Sequence, residues 1–434
     1  MKITEGDVEF KKYLIGLGTT ACYFGGDPEF FIGDPSGGIL NSDKFFPGKD
    51  KPIQVMRAGE SSPVGKVYFD GIQAELGFSH SNCRETVISR IAMTLAAAQN
   101  KIAENKIILK PAVRVKKSVI DQADPQARIF GCAPDFNAYT RSVNTPPMDA
   151  SRHLYRYAGG HVHIGISSYG KLDSASMKDP ENHLAFVKAF DLIVSLPLLA
   201  LDNAPGSKLR RTKYGKAGCF RPTPYGLEYR TPSCWWLQSP ISASLVFGLM
   251  RLSWTLSCNK AFDKFMQIAK LEEGDIRGIV DEGDLKEAAK VWDKIRPYVS
   301  VMGNAFSNPV NYLSFAPWKV RPNGAIERNI YSKEEVETLA NTEKKTAEGE
   351  DPIAFTAMPL MLYEYMVKNG TEGVIGDLTH EWNLKSTLYM RTYGIYSGCM
   401  HKMTSNKECE PLQSSLKVQQ DFFKFQKSMV KELY

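Results

Sequence analysis

No C-x-x-C pair and no zinc-type cysteine spacing occurs in this chain of 434 residues, although it holds eight cysteines. Cys22, Cys83, Cys132, Cys219, Cys234, Cys258, Cys399 and Cys409 stand singly, often beside apolar or aromatic residues, and read as reduced core thiols. A cytoplasmic location follows as the expectation. No apolar stretch is long enough to span a bilayer. The most apolar one, "LIVSLPLLAL" from Leu192 to Leu201, is too short and lies between Asp191 and Asp202. The first residues, "MKITEGDVEFKKYLIG", lack the apolar run of a signal peptide. No Lys/Arg run marks a nucleic-acid arm, so neither nucleic acid nor membrane is an expected partner. A P-loop and a G-x-S-x-G elbow are also missing. Gly16-Leu17-Gly18 has neither the third glycine nor the context of a dinucleotide fingerprint.

What remains is an ordinary globular composition, with 43% hydrophobic and 24% charged residues. The net charge of +6 comes from 54 basic against 48 acidic residues and suits an anionic ligand. From about Tyr13 to Arg230 the chain reads as short strands broken by Gly and Pro, with helices between them. "RETVISRIAMTLAAAQNKIAENK" (Arg84 to Lys106) is an amphipathic helix. A second starts with Asp179 as N-cap, Pro180 at the first position and Glu181 in the first turn, and is kinked or ended near Pro197. A third starts at Ser239-Pro240. Ser332 with Glu335 forms a capping box ahead of a charged stretch. The expected class is α+β, a mainly antiparallel sheet with helices packed on it. The expected domains are 1–330 and a helical region, 331–434, packed against it.

Chemistry concentrates in strand-like segments. In "AGGHVHIGIS", His161 and His163 share one face of a strand, while Val162, Ile164 and Ile166 share the other. By itself the pair reads equally well as two polar residues on a half-buried strand. Three more segments follow the same pattern. Asp27 and Glu29 flank Pro28; Gln73 and Glu75 alternate with Ile72, Ala74 and Leu76; Glu228 and Arg230 alternate with Leu227 and Tyr229. Strands so patterned, laid side by side, give a sheet with one apolar face and one face of carboxylates, imidazoles and guanidinium. Clustered carboxylates call for a hard divalent cation, Mg²⁺ or Mn²⁺ rather than zinc. Nucleotide phosphates held by such a cation would account for Arg210, Arg211, Arg221, Arg230, Lys208, Lys213 and Lys216. The stretch "GSKLRRTKYGKAGCFRPTPYG" then reads as a phosphate-gripping flap, or else as a plain basic surface loop. Asp70 has the opposite parity to Glu75 and joins the polar face only if Gly71 marks a bulge. His80, His153, His183, His380 and His401 read as surface or structural residues, and Trp235 and Trp236 as core.

Taken in order, Asp27-Pro28-Glu29, "QAEL", "GGHVHIG" and "RPTPYGLEYRTPS" resemble the glutamine synthetase / glutamate–cysteine ligase superfamily. The nearest resemblance is to the phage-encoded carboxylate–amine ligases of type 2, and it spans roughly Gly25 to Ser233. It implies a curved, mainly antiparallel sheet of glutamine synthetase-like fold and an ATP-dependent ligase that forms an amide through an acyl phosphate. ATP and Mg²⁺ (or Mn²⁺) would be the cofactors, and a carboxylate and an amine the substrates, in a host cytoplasm. A homo-oligomer is compatible with it. The resemblance assigns Glu29, Glu75, Glu228 and His161 to metal. It gives His163, Arg221 and Arg230 to the nucleotide, with Arg221 and Arg230 also acting on the acyl phosphate, and Arg211 and Lys213 of the basic stretch are expected to join them there. Asp27 or Asp70 is left as the catalytic base. D-P-E stands where relatives often have E-x-E, and substrate identity does not carry over. A phosphagen-type kinase and a non-catalytic nucleotide-binding or structural phage protein are the alternatives.

Overall fold

The computed structural model describes residues 5–306 apart from 17–21, 57–60, 82–83, 129–134, 145–152, 166–178, 200–201, 203 and 239, together with 319–320 and 326–327. The capping box at Ser332, the region 331–434, Ile166, His380, His401 and four of the cysteines lie outside the described residues.

Alternating apolar residues form the strands. In chain order these are β1 (Tyr23–Gly26), β2 (Glu29–Gly33), β3 (Ile39–Leu40), β4 (Ile53–Val55), β5 (Gly65–Asp70), β6 (Gln73–Ser81) and β7 (Lys106–Ile108). They continue with β8 (Ala112–Arg114), β9 (Asp135–Asn137), β10 (Ser142–Asn144), β11 (Tyr155–Tyr157), β12 (Val162–Gly165), β13 (Cys219–Thr223) and β14 (Gly226–Tyr229). Twelve of these build one sheet, with the path β10-β9-β13-β14-β12-β1-β6-β2-β3 and β4, β5 and β7 joined to it. Its pairs are antiparallel. The α+β class with a largely antiparallel sheet is therefore borne out.

Cross-strand partners share a face, so register carries the polar pattern from strand to strand. Glu29 faces Glu75, Tyr68 faces Glu75 from the other side, Gly25 faces His163, and His163 and Arg221 both face Glu228. The opposite face carries Phe24, Phe30, Ala74, Leu76, Val162, Ile164, Leu227 and Tyr229, all buried. Helices Arg84–Ile102, Pro180–Phe190 and Pro240–Cys258 pack together, and the first lies against β5 and β6. Trp235 and Trp236 belong to this core, and Trp236 donates to the Gly160 carbonyl at 3.1 Å.

The N-cap at Asp179 is present, its carboxylate accepting from the Glu181 amide at 3.0 Å. The helix is distorted and then ends near Pro197, as expected. It widens into a π turn over Asp191–Ser195 and closes with one short turn, Leu196–Leu198. A proline without an amide hydrogen breaks the regular ladder at this point. Cys22, Cys219 and Cys234 are buried and free, and Cys258 is half-buried and free.

Two local expectations are corrected. Gly71 does not mark a bulge. It opens a two-residue hairpin turn at φ +70, and Asp70 pairs with Gln73 across that turn. Parity counted along the chain does not survive such a turn, so Asp70 reaches the polar face without a bulge. The basic stretch after Ala204 is not a loop at first, because Pro205 seats a helix over Pro205–Lys213.

Candidate active site on the polar face of the sheet

The Asp27-Pro28 pair joins β1 to β2, and both strands pair with β6. Pro28 has no amide hydrogen, but its carbonyl accepts from Leu76 at 2.9 Å, and the Glu29 amide reaches the Gly159 carbonyl at 2.8 Å. This one line of chain puts Asp27 and Glu29 on the same face between β6 and the segment leading into β12.

Two groups of metal-capable residues result, each with ligand atoms within 4.8 Å of one another: Glu29, Asp70 and Glu75, and Asp27, His163 and Glu228. Glu29 and Glu75 are 1% and 3% exposed, values that leave no room for a solvated surface pair. Burial, then the charge of Asp70, pushes Glu29 up to about 8, although the Gly159 amide donates to its Oε2 at 2.5 Å. Glu75 is raised well above the usual carboxylate range, by burial first and then by Asp27, Asp70 and Glu29. Among the described residues neither forms an ion pair within the protein. The Oε1 of buried Gln73, on the same face, has no hydrogen-bond partner among the described residues. Buried carboxylates raised by one another, beside an unpartnered carbonyl oxygen, form a donor set that fits a hard divalent cation.

The second group is linked more tightly to its surroundings. His163 Nε2 lies 3.0 Å from Asp27 Oδ1, and its Nδ1 lies 2.6 Å from the Tyr225 hydroxyl. Burial opposes the charged imidazole, but Asp27 and Glu228 outweigh it and raise His163. In return, His163 and His161 hold Asp27 well below the usual carboxylate range in spite of its burial. His161 differs: burial, then Arg230, pushes it down to about 4, so it is neutral at physiological pH. Its Nδ1 faces Glu228 at 3.3 Å and Asp27 at 3.4 Å, and its Nε2 meets the Tyr214 hydroxyl. Both histidines therefore touch Asp27 and Glu228, and both have their two ring nitrogens engaged by protein; His163 is the one that forms a metal-capable group with both carboxylates, its ligand atoms all within 4.8 Å of one another.

Arg221 reaches Glu228 Oε2 at 3.1 Å across the β13–β14 pair. Arg230, 2% exposed, pairs with Glu228 Oε1, approaches Asp135 at 3.2 Å and donates to the Tyr214 hydroxyl at 2.9 Å. The other basic candidates part company around their helix. Arg210 is buried and holds the Thr231 and Arg230 carbonyls at 2.7 and 3.0 Å. Arg211 turns away toward Asp202 and Val280, and Lys213 is exposed at the helix end. Arg211 and Lys213 are not brought to the carboxylate strip, whereas the charge of Arg210 reaches Glu29. A 3.6-residue period sends neighbouring charges to different faces, which a loop reading could not show.

Sequence reasoning missed Tyr68, Asp135, Tyr214, Tyr225 and the lysines Lys49 and Lys66. Tyr68 is buried against Glu75, and the two are hydrogen-bonded. Its parity with Asp70 and Lys66 was readable once the hairpin at Gly71 was recognised; Tyr214 and Tyr225 sit outside strands and gave no periodic signal. A cavity of about 870 Å³ lies along the same face, lined by Asp27, His163, Tyr225, Lys49, Lys66 and His80 among others. His80, exposed as a surface residue, lies on the rim of this cavity. Among the described residues no helix is long and apolar enough to cross a membrane.

No curated protein matches the chain. Residues 147–270, which carry β12, β13 and β14 with His161, His163, Arg221, Glu228 and Arg230, match the family model described as phage phiEco32-like COOH.NH2 ligase, type 2, the ligase family that the strand motifs resemble.

Proposed function

We propose that this protein is an ATP-dependent carboxylate–amine ligase of glutamine synthetase-like fold that forms an amide through an acyl phosphate. The observation that carries this reading is the presence of two carboxylate-rich groups on one sheet face, with Arg221 and Arg230 beside them. The family match over 147–270 supports the ligase class.

Glu29, Asp70 and Glu75 would hold one Mg²⁺, and Asp27, His163 and Glu228 a second. When bound, the cations offset the repulsion between a substrate carboxylate and the polyphosphate. Arg221 is the more open of the two guanidinium groups and meets the phosphates, while Arg230 braces Glu228 from below. A carboxylate oxygen of the acid attacks the γ-phosphorus, the bond to the β-phosphate oxygen breaks, and ADP leaves. The amine nitrogen then attacks the acyl carbon, the bond to the phosphate oxygen breaks, and phosphate leaves. The proton lost by the amine goes to a carboxylate of the same face. Asp70 is half-buried where Glu29, Glu75 and Glu228 are enclosed, and Asp27, held well below the usual carboxylate range by His163 and His161, is the weaker proton acceptor, so Asp70 is the base within reach. His161, neutral and held between Glu228 and Tyr214, orients this wall rather than carrying charge.

The test is phosphate release from ATP and Mg²⁺ with pools of amino acids, peptides and polyamines, read together with new amide masses. Glu75→Ala and Glu228→Ala should abolish the substrate-dependent release. Wild-type release by both variants contradicts the assignment.

A further inference from the structure

Arg211, which does not reach the carboxylate strip, lines a second and much smaller cavity of about 10 Å³. Ser195, Asp202, Thr231, Trp235, a proline and aliphatic residues complete its wall, and every one of them is buried. There is room for one water or one monatomic ion, and for nothing polyatomic. Two hydrogen-bond donors of this wall, Arg211 Nε and Trp235 Nε1, are buried without a partner, on residues that are 6% and 4% exposed. A Cβ at position 283 would fall 2.6 Å from Arg211 Nη2, so the guanidinium is packed tightly under the turn at Gly283.

The charge of Arg211 is only partly answered. Burial opposes it most, Asp202 and Asp281 attract it, Arg210 repels it, and the net effect lowers Arg211. Both carboxylates are committed elsewhere. Asp202 Oδ1 accepts from the Ser207 and Ser233 hydroxyls, each at 2.7 Å, and Oδ2 from the Ser233 amide at 3.1 Å. Asp281 accepts from the Ala217 amide at 2.7 Å and approaches Arg277 at 3.6 Å. Among the described residues no carboxylate forms an ion pair with Arg211. Arginine does not shed its proton, so the charge stays in place. A water would satisfy the two donors and leave that charge unanswered, whereas a monatomic anion does both.

We infer that this cavity binds one halide ion, chloride or bromide, through Arg211 and Trp235. Arg210, the neighbour of Arg211 on the same helix, holds the Thr231 and Arg230 carbonyls at 2.7 and 3.0 Å. The ion therefore braces the end of the strand that carries Glu228 and Arg230. The inference stands independently of the ligase reading.

The full chain is melted in potassium chloride, potassium bromide and potassium gluconate at equal ionic strength, and crystals grown in bromide are measured at the bromine absorption edge. The melting temperature should rise saturably with either halide but not with gluconate, which is too large for the cavity. An anomalous peak should lie within reach of Arg211 Nε and Trp235 Nε1. Trp235→Phe keeps a ring and removes the donor; it should bind halide about ten-fold more weakly. Arg211→Met should abolish the halide response while still melting cooperatively in gluconate. Equal melting of wild type in chloride and gluconate, a water without anomalous signal in the cavity, or a full halide response from Arg211→Met would overturn the inference.

Discussion

Glu29 and Glu75 stand directly opposite each other across β2 and β6, both buried and neither in an ion pair among the described residues. Like charges in that position destabilise a sheet unless something between them is positive. The arrangement makes sense as one part of a cation site, and it sets the first expectation. Mg²⁺ or Mn²⁺ should raise the melting temperature, by about 2.7 kcal/mol of added stability at a hundred times the dissociation constant. Glu29→Gln and Glu75→Gln should each remove most of that rise in a thermal-shift titration. A wild-type response from either variant counts against the site.

The same pair gives a pH dependence. Glu29 is raised from 4.5 to about 8 in the folded protein, so the fold holds its proton more tightly than the unfolded chain does. Its contribution to metal-free stability is therefore full below about pH 4.5 and declines as pH rises to about 8. The melting temperature of Glu29→Gln minus that of wild type, measured without metal, should increase across that window. A flat difference would show that Glu29 is not raised.

Tyr214 joins His161 to Arg230 through its hydroxyl. Tyr214→Phe keeps the ring on which the Arg210 and Arg230 guanidinium groups lie, at 4.8 and 5.3 Å, and removes only the bridge. Substrate-dependent phosphate release should fall about ten- to a hundred-fold, with the melting temperature nearly unchanged. Steady-state assays of a variant as active as wild type would remove Tyr214 from the site.

Much of this was legible in the residues. Alternation placed His161 with His163, Asp27 with Glu29, and Glu228 with Arg230, and register then joined these faces across β1, β6, β12 and β14. The Asp179 cap and the apolar backs of the strands were equally readable. Three things were not. Asp70 was hidden because a hairpin turn resets parity. Arg211 and Lys213 were grouped with the phosphates because a helix read as a loop gave no account of direction. His161 and His163 were separated only by the resemblance, as metal ligand and phosphate contact; the Tyr214 and Tyr225 hydroxyls that differentiate them come from other parts of the chain.

Beneath the sheet, Asp191 holds the segment that presents Tyr214. Its carboxylate accepts from the Gly218 amide at 2.6 Å and from the Tyr229 hydroxyl at 2.5 Å. Asp191→Ala strands the buried Gly218 amide, while the Tyr229 hydroxyl keeps Ser195 Oγ at 2.5 Å, and should cost about 1–3 kcal/mol in urea unfolding. Asp191→Asn, which keeps an acceptor, should cost less. A loss under about 0.5 kcal/mol for the alanine variant would mean that the segment is held by other contacts.

Transfer of a carboxylate oxygen to phosphate is the step that separates a ligase acting through an acyl phosphate from a kinase. The protein is incubated with ATP, Mg²⁺, an amine pool and acids labelled with oxygen-18 in the carboxylate, and the released phosphate is weighed by mass spectrometry. One labelled oxygen in the phosphate, together with a new amide, is the expected result. Unlabelled phosphate, or a phosphorylated amine with no amide, would contradict the account.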